Sequence, residues 1–331
     1  MYMNVTSTQT SSYPKVSVFV PTYNHEWFIA DCLDSILAQN YPNLEIVCGD
    51  DASNDRTPEI LKNYKELYPQ VIKVILNKTN LGVTKNCNNL LAQCEGKYIA
   101  LFAGDDLMLP GKLKKQVELL EHMPSCVLCY HNLDVFDSLT NKTLYYYNNF
   151  KVKPYEGSAD LLLKHQVFTG PPSIMIRSSA IPQGGYNEEI STVSDWLFFI
   201  EVANKGEIRY INETLARYRR HKGSITYSNK YYKEVHDSFN IIRRKYPKLA
   251  KYIYISEGAI YFQQAGDRLK EGDMEGFYEF VYKAFKNRYR LTISIPLVLL
   301  KFLRKLGCLF IIDKIVKKVF SLRNSLRDSK G

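Results

Sequence analysis

Two hydrophobic periods alternate along the first hundred residues. Val16-Ser-Val-Phe-Val20 is a compact β-branched run and reads as a buried strand, after which Phe28, Ile29, Cys32, Leu33, Ile36 and Leu37 fall at helical spacing. Glu45-Ile-Val-Cys48 predicts the next strand and ends in Gly49-Asp50-Asp51. Thr57-Pro58 supplies an N-cap and first-turn pair for a helix running to about Tyr68. Val71 to Leu76, a helix from about Thr84 to Gln93 and a strand from Tyr98 to Ala103 repeat the unit. Such alternation predicts an α/β protein whose parallel sheet is joined by crossover helices. Cys126 to Tyr130 reads as a further strand. After about Tyr227 the pattern turns helical, with Tyr-rich stretches from Tyr252 to Gln264 and Met274 to Phe285 around a Gly266–Gly272 turn. Those tyrosines recur at core-like spacing, which favours packing against the α/β domain of the first part of the chain over stacking on single-stranded nucleic acid.

Composition narrows the class. The 331 residues are 45% hydrophobic and 24% charged, which excludes disordered, collagen-like and disulfide-scaffold chains. The net charge is +10, and residues 283–330 hold thirteen Lys/Arg against two Asp/Glu, a local balance of +11 that leaves the remainder near −1. In that tail Ile312, Ile315, Val319 and Leu322 recur at helical spacing with Lys314, Lys317 and Lys318 between them. The apolar run Ile293 to Leu300 is interrupted by Lys301, Arg304 and Lys305, whereas a spanning helix needs about 20 mostly apolar residues. The expectation is a basic amphipathic tail, 291–331, lying on an anionic membrane surface. Its alternative is a helix on the protein's own core with a solvated lysine face. Met1 to Lys15 is polar and lacks a secretory-type apolar stretch, so a cytoplasmic protein, peripheral on the inner face of the membrane, is expected. Seven scattered cysteines fit a reducing compartment, and Cys126-Val-Leu-Cys129 has no second pair to complete a zinc site.

Candidate chemistry lies in carboxylates. Asp50-Asp51 and Asp105-Asp106 each follow a predicted strand, and in open α/β sheets ligands bind at the carboxyl ends of strands. Adjacent carboxylates repel unless a cation or donors compensate them, and hard oxygen ligands suit Mg²⁺ or Mn²⁺ carrying phosphate oxygens. Ordinary turn chemistry explains the same residues equally well.

Several ordered motifs separate these readings. Val16-Ser-Val-Phe-Val-Pro-Thr-Tyr-Asn24, Ser35-Ile-Leu-Ala-Gln39 and Glu45-Ile-Val-Cys-Gly-Asp-Asp-Ala-Ser-Asn-Asp55 resemble the N-terminal signature of family 2 glycosyltransferases. Asn80-Leu-Gly82, Gly96-Lys-Tyr-Ile99, Gly104-Asp-Asp106, Ser194-Asp-Trp196 and Arg219-Arg-His221 continue it in order. The resemblance implies a GT-A fold over 14–225, with a mostly parallel central sheet flanked by helices. A helical region, 226–290, would pack on it ahead of the 291–331 tail.

It also implies roles. Pro21, Thr22 and Tyr23 would line the base and ribose pocket, Asp51 would accept from the base imide, and Lys85 would contact the nucleotide. Asp105 would lie near the ribose and Asp106 would coordinate the Mn²⁺ or Mg²⁺ bridging the donor diphosphate. Asp195 matches the base of an inverting transfer, His221 matches a second metal ligand, and Arg219 or Arg220 would pair with diphosphate oxygens. Many members carry a further Asp where this chain has Ala103, which weakens the expectation of strict Mn²⁺ selectivity. The implied donor is a nucleoside-diphosphate sugar, a UDP-hexose or UDP-N-acetylhexosamine. The implied acceptor is an undecaprenyl-diphosphate-type lipid-linked saccharide, as in O-antigen or capsule assembly, and no nucleic acid partner is expected. Three alternatives stand beside this: a soluble transferase acting on protein or free glycan, a nucleotidyltransferase, and a non-catalytic binder. The second would need a Gly-rich basic loop where Pro21-Thr-Tyr-Asn-His25 stands.

Overall fold

The computed structural model describes residues 13–148, 154–165, 170–221, 223 and 231–287. The basic tail 291–331 and Cys308 lie outside the described residues. The described residues divide into two compact units, one holding 13–159 and 170–234, the other 160–165 and 235–287.

In the first unit, β1 (Val16–Thr22), α1 (Ile29–Leu37), β2 (Leu44–Asp50), α2 (Thr57–Leu67), β3 (Ile72–Leu76), α3 (Val83–Leu91) and β4 (Tyr98–Leu101) realise the alternating pattern of the sequence. There follow β5 (Leu107–Met108), α4 (Lys112–His122), β6 (Cys126–Asp137), β7 (Thr143–Tyr146), β8 (Met175–Arg177), α6 (Asp195–Ala203) and β9 (Glu207–Arg220), while α5 (Ala159–His165), between β7 and β8 in the chain, falls in the second unit from Asp160 on. The strands form one sheet in the order β3-β2-β1-β4-β8-β6-β9-β5, with β7 added alongside β6. Pairing among β1 to β4 is parallel throughout, as crossover helices require, and antiparallel pairs enter only beyond β4. Val16, Val18 and Val20 of β1 pack into the core with Ile29, Cys32, Leu33 and Ile36 of α1.

Two details differ from the sequence expectation. Thr57 does not cap α2 but is its first residue, because its hydroxyl accepts the His25 N–H at 2.8 Å while Asp55 Oδ1 takes the Thr57 N–H at 2.9 Å. The loop after β1 has thus claimed the side chain that local sequence assigns to the helix end. Nor does Gly266 begin a turn. α9 (Ile253–Glu271) runs through it to Gly272, since Phe262, Ala265 and Leu269 continue one apolar stripe past the glycine.

That helix belongs to the second unit, where α7 (Tyr232–Lys245) and α8 (Pro247–Ala250) precede it and α10 (Met274–Lys286) follows, capped by Asp273, which accepts the Gly276 N–H at 2.8 Å. Phe277, Tyr278, Val281 and Ala284 of α10 pack on α9, and Tyr261 stacks near Phe280 at 6.3 Å. These aromatics therefore serve packing within the unit. Six cysteines are described and all are free; Cys126 and Cys129 are buried in β6 among apolar side chains. No described helix is long and apolar enough to cross a membrane.

At the amino ends of the strands, buried Glu45 accepts from the Ser17 hydroxyl and from the Glu95 N–H at 2.6 Å, and pairs with Lys15 and Lys73 at 3.0 Å each. Gly96 closes this corner. A Cβ there would lie 2.5 Å from the Ser17 backbone nitrogen and 2.6 Å from the Tyr98 carbonyl oxygen, atoms that a sheet holds in register. Gly96→Ala is accordingly expected to cost about 1–3 kcal/mol, read as a lowered urea midpoint at unchanged m-value.

Candidate donor and metal site

The carboxyl ends of β1, β2 and β4 meet at one edge of the sheet, and the loops leaving them are laced together. Asn24 N–H donates to Ser53 Oγ at 2.8 Å, Asn54 N–H to Asn24 Oδ1 at 3.0 Å, and Glu26 N–H to Asp55 Oδ2 at 3.0 Å. Asn24 and Ala52 adopt positive φ, 55° and 59°, to make these tight reversals. From β4 the chain returns through Gly104, whose N–H donates to the Pro21 carbonyl at 3.1 Å. Only glycine fits there, because a Cβ would stand 2.6 Å from Thr22 Cγ2 and 3.0 Å from His25 Nδ1. Tyr23 projects from the same rim and is exposed.

The four acidic residues of the two pairs meet different fates. Asp50 is absorbed by its own turn, accepting from the Ser53 N–H at 2.9 Å and from the Ser53 and Thr22 hydroxyls. Asp51, also buried, gathers the next loop: Oδ1 accepts from the Leu81 N–H at 2.8 Å and from Asn77 at 3.0 Å, and Oδ2 from the Gly82 N–H at 2.9 Å. Lys85 stands exposed on the first turn of α3 just beyond.

Asp105 and Asp106 lie beside the far end of β9. Asp105 Oδ2 is 3.0 Å from His221 Nε2, and the His25 ring is edge-on to His221 with centroids 6.4 Å apart. Asp106 is fully buried; its Oδ1 accepts the Arg219 N–H at 2.8 Å, and its Oδ2 has no hydrogen-bond partner. The two arginines point differently. Arg219 is buried, with Nε donating to the Asp105 carbonyl at 2.7 Å and its guanidinium 4.8 Å from both the Phe28 and Phe136 ring centres. It braces the acidic turn. Arg220 lies on the other face of β9, 5.2 Å from the Tyr218 ring centre and 3.4 Å from the Tyr145 hydroxyl.

Asp195 opens α6, half-buried, with Oδ1 accepting the Trp196 N–H at 2.8 Å. Burial pushes the Cys87 thiol on α3 up, and the charges of Asp195 and then Asp51 push it further, so α3 stands within electrostatic reach of both carboxylates. Tyr147 likewise feels Arg220 and Asp195. The structure thus brings Pro21, Thr22, Tyr23, Asp51, Asp105, Asp106, Arg219 and His221 to the carboxyl ends of the strands, with Arg220 turned to the other face of β9 and Asp195 in the same unit at the start of α6.

A family model described as glycosyl transferase family 2 matches residues 17–182. The putative glycosyltransferase EpsE of Bacillus subtilis is 32% identical, over 76% of this chain and 90% of that protein. This chain belongs to glycosyl transferase family 2. Another B. subtilis relative, the putative teichuronic acid biosynthesis glycosyltransferase TuaG, is 31% identical over 67% of this chain and 85% of its own. An uncharacterized Mycobacterium tuberculosis protein is 34% identical over 64% of this chain, and the match spans 61% of that relative's length. Among solved structures, Staphylococcus aureus TarS 1-349 in complex with UDP-GlcNAc superposes with a TM-score of 0.63 at 19% identity, covering 95% of this chain and 92% of that one. The mannosyltransferase PcManGT of Pyrobaculum calidifontis, in complex with GDP-Man and Mn²⁺, gives 0.59 at 18% identity, covering 94% and 85%. Both likenesses speak for the GT-A fold.

In this family 2 chain the acidic pair is electrostatically split. Burial pushes Asp105 up, but the His221 hydrogen bond and the charges of His25 and His221 outweigh it and hold its carboxyl below the usual range. Asp106 goes the other way: burial first, then the neighbouring Asp105 charge, hold it well above the ordinary carboxylate range against the Arg219 N–H. A divalent cation would reverse that balance, and the partnerless, buried Oδ2 is the atom it would engage. Among the described residues no group of three or more His, Cys, Asp or Glu is arranged as a complete metal cage. One carboxylate plus diphosphate oxygens and water is the coordination Mg²⁺ commonly accepts.

Sequence reasoning passed over His25, Thr84 and Glu234. His25 directly follows the Pro-Thr-Tyr-Asn motif, a visible signal; the other two carry none, because their partners lie about a hundred and about forty residues away.

The raised Asp106 has a signed consequence. Since its folded value lies above its unfolded one, its contribution to stability is present at low pH and is lost as pH rises through the folded value. In metal-free buffer the wild-type Tm is expected to fall, relative to Asp106→Asn, as pH rises above the ordinary carboxylate range, as thermal melts over a pH series will read. Added MnCl2 should raise the wild-type Tm and leave the variant unmoved.

Proposed function

We propose that this chain is an inverting, metal-dependent glycosyltransferase that uses a nucleoside-diphosphate sugar. The observation that carries this reading is the buried Asp106 carboxylate with one partnerless oxygen at the carboxyl edge of the sheet, in the same unit as Asp195 at the head of α6. In the proposed reaction the acceptor hydroxyl attacks the anomeric carbon of the donor. The new C–O bond forms as the bond to the diphosphate oxygen breaks, the electron pair leaves with the diphosphate, and Asp195 takes the hydroxyl proton. Burial holds the Asp195 carboxyl above its ordinary range despite the Trp196 N–H, which makes it a better proton acceptor than a solvated Asp. Asp106 would hold Mn²⁺ or Mg²⁺, with His221 as the second candidate ligand, and the cation would neutralise charge on the departing diphosphate.

The nucleotide is read as UDP, with Tyr23 and Pro21 against the base and the second lone pair of Asp51 Oδ2 accepting from it. TarS, bound to UDP-GlcNAc in its crystal structure, supports a UDP-sugar, and PcManGT with GDP-Man marks the competing donor class. The name of TuaG, a putative teichuronic acid biosynthesis glycosyltransferase, supports polysaccharide assembly as the pathway class. A lipid-linked saccharide acceptor and attachment of the 291–331 tail to an anionic membrane rest on the tail's charge and apolar spacing. If deletion of that tail leaves membrane fractionation and lipid-acceptor turnover unchanged, the alternative of a soluble transferase acting on protein or free glycan takes its place.

A panel of UDP-, GDP- and dTDP-sugars, with and without Mn²⁺ or Mg²⁺ and with a lipid-diphosphate saccharide as acceptor, is expected to show nucleotide release with a UDP-sugar and metal. No release with any donor would overturn the reading. Asp195→Asn is expected to lower kcat by about 10²- to 10⁴-fold while UDP affinity, measured by calorimetry, is unchanged. Full transfer by that variant would remove Asp195 from the base role.

A further inference from the structure

The loop that Asp51 gathers is bonded to the segment that carries Asp195. Gly82, whose N–H Asp51 accepts at 2.9 Å, is the N-cap of α3, and Thr84 stands in the first turn. Thr84 is buried. Its hydroxyl donates to the Ile190 carbonyl at 2.6 Å and lies 2.7 Å from Ser194 Oγ, while its N–H donates to the Ser191 carbonyl at 3.2 Å. Ser194 is the N-cap of α6 and is buried beside Thr84, so the hydroxyl pair joins the helix start at Gly82 to the helix start at Asp195. Only residues 82–84 and Ser194, the N-cap of α6, separate the two carboxylates along this route.

A second clamp holds the same segment from the other side. Glu234 accepts from the Thr192 N–H at 3.0 Å, the Val193 N–H at 2.9 Å and the Ser191 hydroxyl. Residues 191–193 form no regular element, so hydrogen bonds to distant side chains fix where Asp195 sits. Of the two clamps, only Thr84 leads back to the nucleotide pocket.

We propose that Thr84 is a positioning residue that couples occupancy of the nucleotide pocket to the placement of Asp195 through the Thr84–Ser194 hydroxyl pair. This rests on the reading of Asp51 as a nucleotide contact and Asp195 as the base. A nucleotide that draws on Asp51 stiffens the 81–82 loop, stiffening it fixes the first turn of α3, and the shared hydrogen bonds pass that restraint to residues 190–195. The base is then best ordered when a donor is present, which disfavours reaction in an empty site.

The test uses UDP as probe and hydrogen–deuterium exchange of the full chain as readout. In the wild type UDP is expected to slow exchange across 190–195 by about 10-fold. Thr84→Val keeps the side-chain shape and removes the hydroxyl. It should abolish that UDP-dependent slowing, with UDP Kd within about 3-fold of wild type, and lower kcat about 10- to 100-fold at unchanged donor KM. Thr84→Ser restores the hydroxyl and should rescue both. Glu234→Gln, by contrast, should speed exchange at 192–193 with and without UDP and keep the UDP-dependent difference. UDP-dependent slowing that persists in Thr84→Val overturns the coupling, as does UDP binding to the wild type with no slowing at 190–195. Failure of UDP to bind at all would instead bring down the UDP reading on which the coupling rests.

Discussion

Buried negative charge at one edge of the sheet is the constraint around which the first unit is organised. Asp50, Asp51 and Asp106 are each almost fully buried where β1, β2 and β4 end, and a carboxylate out of water needs donors or a cation. Asp50 meets that need within four residues, through Ser53. Asp51 recruits the Leu81 and Gly82 amides and so decides where α3 begins. Asp106 receives only the Arg219 amide, which leaves one oxygen short.

The same accounting explains the surrounding side chains. Arg219 sits between Phe28 and Phe136 and spends its guanidinium on the Asp105 carbonyl, so its cation compensates the acidic turn from beneath. Arg220, one residue on, faces Tyr218 and Tyr145, on the side where Tyr147 feels Asp195. Strand alternation sends two neighbouring arginines to opposite tasks. His221 holds Asp105 ionised at hydrogen-bond distance and so concentrates the proton-binding tendency of the pair on Asp106.

Rigidity in this region comes from side chains crossing between loops. Asn24, Asp55 and Thr57 lock the loops after β1 and β2 to each other, and Thr84 and Glu234 lock the approach to α6. Loops held in this way keep catalytic groups in place without the cost of burying unsatisfied backbone. Gly104 adds the steric half of the design, since its missing Cβ lets β4's exit pass against Thr22 and His25.

Local periodicity determined much of this from the sequence alone. The β-branched runs at Val16 and Ile46, the helical faces of α1 and α3, and the acidic residues at strand ends are one-dimensional patterns, and the fold class follows from them. The ordered motifs from Val16 to His221 carried the family. What the sequence left open is which of several like residues is spent on structure. Thr57 reads as a cap and bonds His25; Asp50 and Asp106 read alike and differ in donors; Gly266 reads as a break and lies inside α9. The outcomes at Thr57 and Asp106 depend on partners distant in the chain, His25 and Arg219, and only tertiary packing fixes which donors reach a buried oxygen.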